Sequence, residues 1–433
     1  MTMKIAIIGG AGVRTPLLSA GLAGSDLPLG ELTLFDPDCE RLSVIAPLAD
    51  RMAEGVAVKA CDTVEECVEG ADFVFTSFRV GGIESRARNE ATALKLGLVG
   101  QETVGFGGCA MALATIPAMV AHAKVIERVA PQAWIVNFTN PVGIITQAVQ
   151  TATGAKIIGI CDTPTELFEE VARALGLPSN ECHFDYFGLN HLGWLREVYH
   201  GGRPQLADLW DHPEHLGGLY RTDFFDPAFL ADLRLLPTEY GYFYYQTARA
   251  IESLQRAGES RGVMLTRLNA KLFERLTSGE GDPATVYREY IAERDATYMQ
   301  LESGSKKPLA PPASAAVTGY DRIALAVIRA IHFNTSAVIP LDVANKGNIA
   351  ELEDDDVVEV PCVVNADGPH ALNVAPVPDA ARELLVRVKT YERLTVRAAL
   401  ESSRELATQA LITNPLVGSR DVAEQLVTEV MLA

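Results

Sequence analysis

The chain is poor in basic residues, in paired cysteines and in long apolar runs. Lysine and arginine together number 37 against 56 aspartates and glutamates, a formal net charge of −19 over 433 residues. A surface of that sign repels polyanions, which argues against nucleic acid and anionic membranes as partners. It also means that any anionic ligand must be met by arginines and lysines gathered locally. The seven cysteines (39, 61, 67, 109, 161, 182 and 362) are scattered, odd in number and free of CxxC pairs. That usage suits reduced thiols and a cytoplasmic location. Six of them read as core or surface fillers. No apolar stretch is expected to reach membrane-spanning length. The opening MTMKIAIIGG lacks a signal-peptide layout, because its apolar run is short and breaks at glycines. Internal repeats and low-complexity tracts are also missing. What remains is an ordinary globular composition, 48% apolar and 21% charged. The chain is too long for one small core, so two α/β units are expected.

Short apolar runs at 4–8 (KIAII), 31–36 (ELTLFD), 72–78 (DFVFTSF), 134–140 (WIVNFTN) and 156–162 (KIIGICD) read as buried parallel strands. Helical stretches lie between them, beginning with TPLLSAGLAG at 15–24, where Pro16 sits in the first turn. This alternation predicts a Rossmann-type doubly wound parallel sheet over residues 1–165. Beyond it, long helical segments at 164–176, 237–257, 262–277, 320–333 and 379–413 mix with extended pieces at 337–347 and 357–365. The expectation there is a mixed α/β second domain over 166–433, which also carries the subunit contacts. The Pro- and Ser-rich stretch 303–317 reads as a loop.

Gly9, Gly10 and Gly12 follow the first strand directly. Glycines at that point let backbone approach a pyrophosphate seated on the next helix. Counted from Gly10, the third fingerprint glycine is replaced by Thr15, so the motif alone is weak. Its context of strand, turn, helix, strand and acid is stronger. Asp36 ends the second strand, suited to the ribose hydroxyls of NAD and repellent to the extra phosphate of NADP. The cofactor-side candidates are therefore Gly9, Gly10, Gly12, Val13, Arg14, Thr15, Asp36 and Arg41. The other reading is a tight turn that binds nothing. Cys161 and Asp162 end the fifth strand, at the edge where parallel sheets bind ligands. His191 falls in YFGLNHLGW, after another extended piece. Each alone reads as packing or as a satisfied polar residue. Together, Cys161 and His191 could hold a metal with several positions left open, as catalytic metals require.

The segments GGAGVRTP, FRVGG, GLVGQETVGFGG, NFTNPVGIITQAV, GICDTP and YFGLNHLGW occur in this order. With LPTEYGYFYY, VANKGNI, VVEVPC and VKTYERLTVRAAL further on, they resemble the glycoside hydrolases of family 4, which use NAD and manganese. The likeness runs over nearly the whole chain, and most closely to the 6-phospho-glucosidase branch. That family is an exception to two-carboxylate glycoside hydrolysis.

The resemblance implies that NAD takes a hydride from C3 of the sugar and later returns it. The C3 ketone acidifies C2, a base removes the C2 proton, the aglycone leaves by elimination and water adds. On the same footing Cys161 and His191 match the metal ligands, and Tyr240 matches the tyrosine base, with Tyr242, Tyr244 and Tyr245 as neighbours that blur the assignment. Asp162 matches an acid that assists the leaving group, or it caps the helix before Pro164. Asn140 and Asn190 match residues that hold sugar hydroxyls, although Asn140 could simply cap the turn before Pro141. Asp162 points to α-specific relatives and NFTNP to β-specific ones, so the anomeric preference stays open. Homodimers or homotetramers are the family habit.

The family's sugars carry a C6 phosphate, and Arg79, Arg86 and Arg261 stand where ligand-side arginines are expected, or else are ordinary ion-pair arginines. The chain departs from the family at Ala114, commonly Arg, and at PPASAAVTGY (311–320). A 6-phosphoglucoside comes first, then a sulfonated glucoside or a glycuronide. Two readings of another class stand beside these, an NAD-dependent hydroxy-acid dehydrogenase and a non-catalytic NAD-binding sensor.

Overall fold

The computed structural model describes residues 2–212, 224–303 and 319–431. The Pro-rich loop expected at 303–317, apart from Ser303 at the end of the helix Gln300–Ser303, and most of the 311–320 block lie outside the described residues. Among those residues the strands are β1 (Met3–Ile8), β2 (Leu29–Phe35), β3 (Ala57–Ala60), β4 (Phe73–Thr76), β5 (Trp134–Asn137), β6 (Lys156–Gly159), β7 (Cys182–Leu189), β8 (Leu192–His200), β9 (Arg203–Pro204), β10 (Leu236–Pro237), β11 (Ala337–Ala344), β12 (Val357–Asn365) and β13 (Gly368–Ala371).

Nine of them form one sheet in the order β13-β12-β11-β6-β5-β4-β1-β2-β3. The six strands from β3 to β6 are all parallel, with the reversal of a doubly wound fold between β1 and β4. Their residues explain this. Phe73–Thr76 is buried throughout, and β1 is buried except at Lys4, as strands covered on both faces must be. β11 then adds antiparallel to β6 through Asp342 opposite Gly159, and β12 and β13 continue antiparallel. The stretches 1–165 and 166–433 thus share one sheet, and residue 165 falls inside the helix Thr163–Ala174.

The segment 182–200, read only as extended, is a hairpin in a second small sheet with β9 and β10. Its two-residue turn is Asn190–His191, flanked by the pair Leu189 and Leu192. Trp194 is fully buried in it, stacks on Phe187 at 5.5 Å and donates its indole N–H to the Tyr245 hydroxyl at 3.0 Å. The helix expected over 237–257 breaks into Gly241–Tyr245 and Thr247–Ala257, and the one expected over 379–413 into Asp379–Leu400 and Arg404–Thr413. Helices at Gly82–Lys95 and Pro283–Ala296 were not foreseen. The second opens with Pro283 after Asp282, whose carboxylate accepts the Thr285 N–H at 3.0 Å.

One expectation fails outright. The helix Gly105–Val129 is long and apolar enough to cross a membrane by length and composition. In this fold Phe106, Ile116, Met119 and Ala123 on it are buried in the main core.

Replacing Trp194 by Ala removes a fully buried ring and the partner of Tyr245. The expected cost is about 3–5 kcal/mol, read as a lowered urea midpoint. An unchanged midpoint would show that the small sheet contributes nothing to the cooperative fold.

Candidate functional site

The parallel strands deliver the expected segments to one edge of the sheet. After β1 comes the glycine turn. Gly9 has φ 94°, and a Cβ there would lie 2.2 Å from the Ser77 carbonyl oxygen, which follows β4. A Cβ on Gly10 would meet Leu34 of β2 at 2.8 Å. The turn is thus wedged between two neighbouring strands, and only glycine fits. Asp36 accepts the Ala11 N–H at 3.1 Å and the Asp38 N–H at 3.0 Å. Burial pushes its carboxyl up, and these two bonds oppose that. The Val13 carbonyl accepts the Tyr287 hydroxyl at 2.8 Å, so the helix Pro283–Ala296 closes over the turn. Arg14 stands at the amino end of the helix Thr15–Ala23, in which Thr15 is buried. The Arg41 guanidinium lies over the Phe273 ring at 4.5 Å and acts electrostatically on Asp36.

After β6 come Cys161 and Asp162. Cys161 is 1% exposed. Burial pushes its thiol well above the ordinary value, and the Glu359 and Asp162 charges add to this. Asp162 occupies the position before the helix Thr163–Ala174 but makes no side-chain capping bond. The capping role is therefore not seen, and the Asp162 carboxylate lies against Gly319 instead. Asn140, after β5, does not cap either: its Oδ1 is buried with no hydrogen-bond partner among the described residues.

His191 brings the second sheet to this edge. It has φ 62°, a left-handed conformation costly for a side chain of this size and frequent at functional sites. Its ring stacks on Tyr240 with centroids 3.8 Å apart and planes 5° from parallel. Nδ1 is 2.8 Å from the Thr103 hydroxyl, and Nε2 is buried with no partner among the described residues. Burial holds the imidazole down at about 4, against the pull of Glu239 and Glu102, so it is neutral at physiological pH. Tyr240 interacts electrostatically with Cys161, and burial pushes its phenol well up, with Glu239, Cys161 and Glu102 adding to the rise. The neighbouring tyrosines are occupied elsewhere: Tyr242 donates to the Glu302 carbonyl and Tyr245 serves Trp194.

The arginines divide into two groups. Arg79 pairs with Glu102 at 2.7 Å, and Arg86 pairs with Glu102 and, at 2.6 Å, with Glu90. Burial alone would push Glu102 up; Arg86 and Arg79 overrule it and hold the carboxyl at about 2. These two cations are thus largely neutralised inside the protein. Arg261 bonds to the Thr297 hydroxyl and, at 2.9 Å, to the Arg294 carbonyl. Neither Arg261 nor Arg294 has a carboxylate at ion-pair distance among the described residues. Burial, then Arg14, pushes Arg294 down to about 10, and its Nη1 is buried without a partner. Ala114 is exposed on the helix Gly105–Val129.

Sequence reasoning missed Arg294, Glu102 and a buried acid pair behind Asn190. Asp342 and Glu359 face each other across β11 and β12. Glu359 accepts the Tyr186 hydroxyl at 2.5 Å and the Asn190 amide at 3.3 Å; burial pushes it up to about 8. The only sequence signal was an acid in each of two strongly apolar strands.

His191 stacks on Tyr240 and Cys161 acts on it electrostatically, and Nε2 is a buried ring nitrogen without a partner among the described residues, of the kind a metal can take up. Among the described residues no three His, Cys, Asp or Glu side chains converge as a metal cluster. A cation here would have two protein ligands and positions left for water or substrate oxygens. A glycine turn with an acid on the second strand, joined at one edge to this Cys–Tyr–His group, defines a dinucleotide-type α/β enzyme with a metal-competent centre.

The chain belongs to the family 4 glycosyl hydrolases: residues 4–177 match the family 4 glycosyl hydrolase domain and 186–417 the family 4 glycosyl hydrolase C-terminal domain. It is 32% identical over 445 residues to a probable 6-phospho-beta-glucosidase of Bacillus subtilis (strain 168), covering 100% of this chain and 96% of that one. The 6-phospho-beta glucosidase of Thermotoga maritima, solved with manganese, NAD+ and glucose-6-phosphate, superposes with a TM-score of 0.82 at 27% identity over 99% of this chain and 98% of that one. A 6-phospho-alpha-glucosidase from gut microorganisms, in complex with NAD and glucose-6-phosphate, gives 0.81 at 28% identity over 100% and 97%.

The unfolded chain binds a proton at the ordinary histidine value of 6.5, the folded chain at His191 only near 4. This residue therefore contributes nothing against folding above 6.5 and withdraws stability as pH falls below it, on the order of 3 kcal/mol once pH 4 is passed. The drop in urea midpoint between about pH 7.5 and about pH 5 is expected to be smaller in His191→Gln than in the parent. Equal drops would contradict a buried neutral imidazole.

Proposed function

We propose that this chain hydrolyses glucosides bearing an anion at C6, with a 6-phosphoglucoside as first substrate, by transient oxidation at C3 and elimination across C2 and C1. The observation that carries the reading is the Cys161–Tyr240–His191 group at the same edge of the parallel sheet as the glycine turn. The relatives solved with NAD, manganese and glucose-6-phosphate support the cofactor and substrate assignments.

When bound, NAD accepts and returns the C3 hydride, and a divalent cation lends Lewis acidity to the oxygens beside it. Gly9, Gly10, Gly12, Val13, Arg14 and Thr15 form the cofactor turn, with Asp36 and Arg41 on its ribose side. Cys161 and His191 hold the cation. Tyr240 takes the C2 proton. It needs its phenol deprotonated, which burial and Glu239 resist. The neighbouring Arg86 guanidinium, and positive charge held by Cys161 and His191, favour the phenolate. Asp162 hands a proton to the departing glycosidic oxygen, so the C2–H and C1–O bonds break and one proton moves at each end. Asn140 and Asn190 orient the sugar hydroxyls, the second held by Glu359. Arg261 and Arg294 meet the C6 anion, since Arg79 and Arg86 are already paired with Glu102. Water then adds to C1, its proton passing to the Asp162 carboxylate while Tyr240 returns a proton to C2, and the hydride returned to C3, with a proton on its oxygen, restores the C3 hydroxyl.

Hydrolysis of 4-nitrophenyl 6-phosphoglucosides is expected to need both NAD and Mn2+ without NADH accumulating. Tyr240→Phe should lower kcat by about 10²–10⁴-fold. Cys161→Ser should abolish turnover. A 6-hydroxyl analogue should lose most of its kcat/KM, with 6-sulfonate and 6-carboxylate glycosides completing the comparison. Stoichiometric NADH with substrate would make the chain a dehydrogenase, and turnover without NAD would end the redox route.

A further inference from the structure

The segment Gln101-Glu102-Thr103 has a role that the reaction steps above leave unused. The Gln101 Oε1 accepts three hydrogen bonds: the Thr103 N–H at 2.6 Å, the Val104 N–H at 3.0 Å and the Thr103 hydroxyl at 3.0 Å. Two of these donors are backbone N–H groups, so the amide cannot be turned over without setting donor against donor. The segment itself is held from below. A Cβ on Gly107 would lie 2.0 Å from the Gln101 carbonyl oxygen, and one on Gly108 2.3 Å from that of Thr103. All three residues Gln101, Thr103 and His191 are buried.

A hydroxyl has one proton to give. With the Thr103 proton directed at Gln101, its oxygen can only accept, and the partner 2.8 Å away is His191 Nδ1. Nδ1 must then carry the imidazole proton. A neutral ring has only one, so Nε2 presents a bare lone pair, and this atom has no partner among the described residues. The tautomer of a histidine is set by what its other nitrogen bonds to. The reverse tautomer would need the Thr103 proton turned towards His191, costing Gln101 one bond and leaving a buried Nε2–H with nothing to receive it.

We propose that Gln101 and Thr103 are positioning residues that fix His191 as the Nδ1–H tautomer and so aim the Nε2 lone pair at a divalent cation. This rests on the reading of His191 as a ligand, but the tautomer can be read without any metal. Side-chain ¹⁵N NMR of the full, EDTA-treated chain, with His191→Gln used to assign the signal, should show Nδ1 protonated and Nε2 bare. An Nε2–H signal in the parent would overturn the inference whatever the metal does. Mn2+ titration followed by EPR then tests the consequence. Thr103→Val, which keeps the shape and removes the oxygen, should weaken Mn2+ binding about 10–100-fold. Gln101→Leu should weaken it less. Thr103→Ser, which keeps the hydroxyl, should restore binding to near the parent value. Parent-like Mn2+ binding in Thr103→Val would contradict the proposal. A parent chain with the Nδ1–H tautomer that binds no Mn2+ would instead remove the metal from the proposed function and leave the hydrogen-bond relay standing.

Discussion

The face-to-face contact between His191 and Tyr240 is the constraint on which the rest of the site depends. It joins three pieces of chain that are far apart in sequence. One is the tip of the β7–β8 hairpin. Another is the segment leaving β10. The third is the end of β6, through the electrostatic link of Tyr240 to Cys161. A parallel stack buries both rings and leaves each heteroatom pointing sideways, which is how Nε2 comes to be buried and yet unsatisfied. The left-handed backbone of His191 is strain tolerated for this arrangement.

Electrostatics give the site its demand. An acidic protein has placed Glu359, Glu239 and Glu102 so that each acts on one or more of Cys161, Tyr240 and His191. Burial and these carboxyls push the thiol and the phenol towards their protonated forms. Positive charge is what both groups need in order to act as ligand and base. The same principle separates the arginines. Those facing Glu102 are spent in internal pairs, whereas Arg261 and Arg294 keep uncompensated charge in a low-dielectric setting, where an anion gains most.

Much of the fold was legible because its signals are local. Short apolar runs ending in glycine or in a polar residue mark parallel strands, and the functional segments follow directly from where those strands stop: Gly9 after β1, Asp36 after β2, Arg79 after β4, Asn140 after β5, Cys161 after β6. What was not legible depends on tertiary pairing. Nothing in GLNHLGW announces a two-residue turn, since neither central residue is glycine. The strands β11 to β13 join the first sheet only because Asp342 meets Gly159. Arg294 reads as one surface charge in a helix of mixed polarity until Tyr287, seven residues earlier on the same face, is seen bonded to the glycine turn. Ala114, where the chain departs from the family pattern, is an exposed helix residue.

The account stands on proton loss at C2 of the sugar, and that is directly observable. A 6-phosphoglucoside turned over in D2O with NAD and Mn2+ should yield glucose 6-phosphate carrying solvent deuterium at C2, and none at C3, where the hydride leaves and returns. Product formed at a normal rate with protium retained at C2 would contradict elimination and with it the role given to Tyr240.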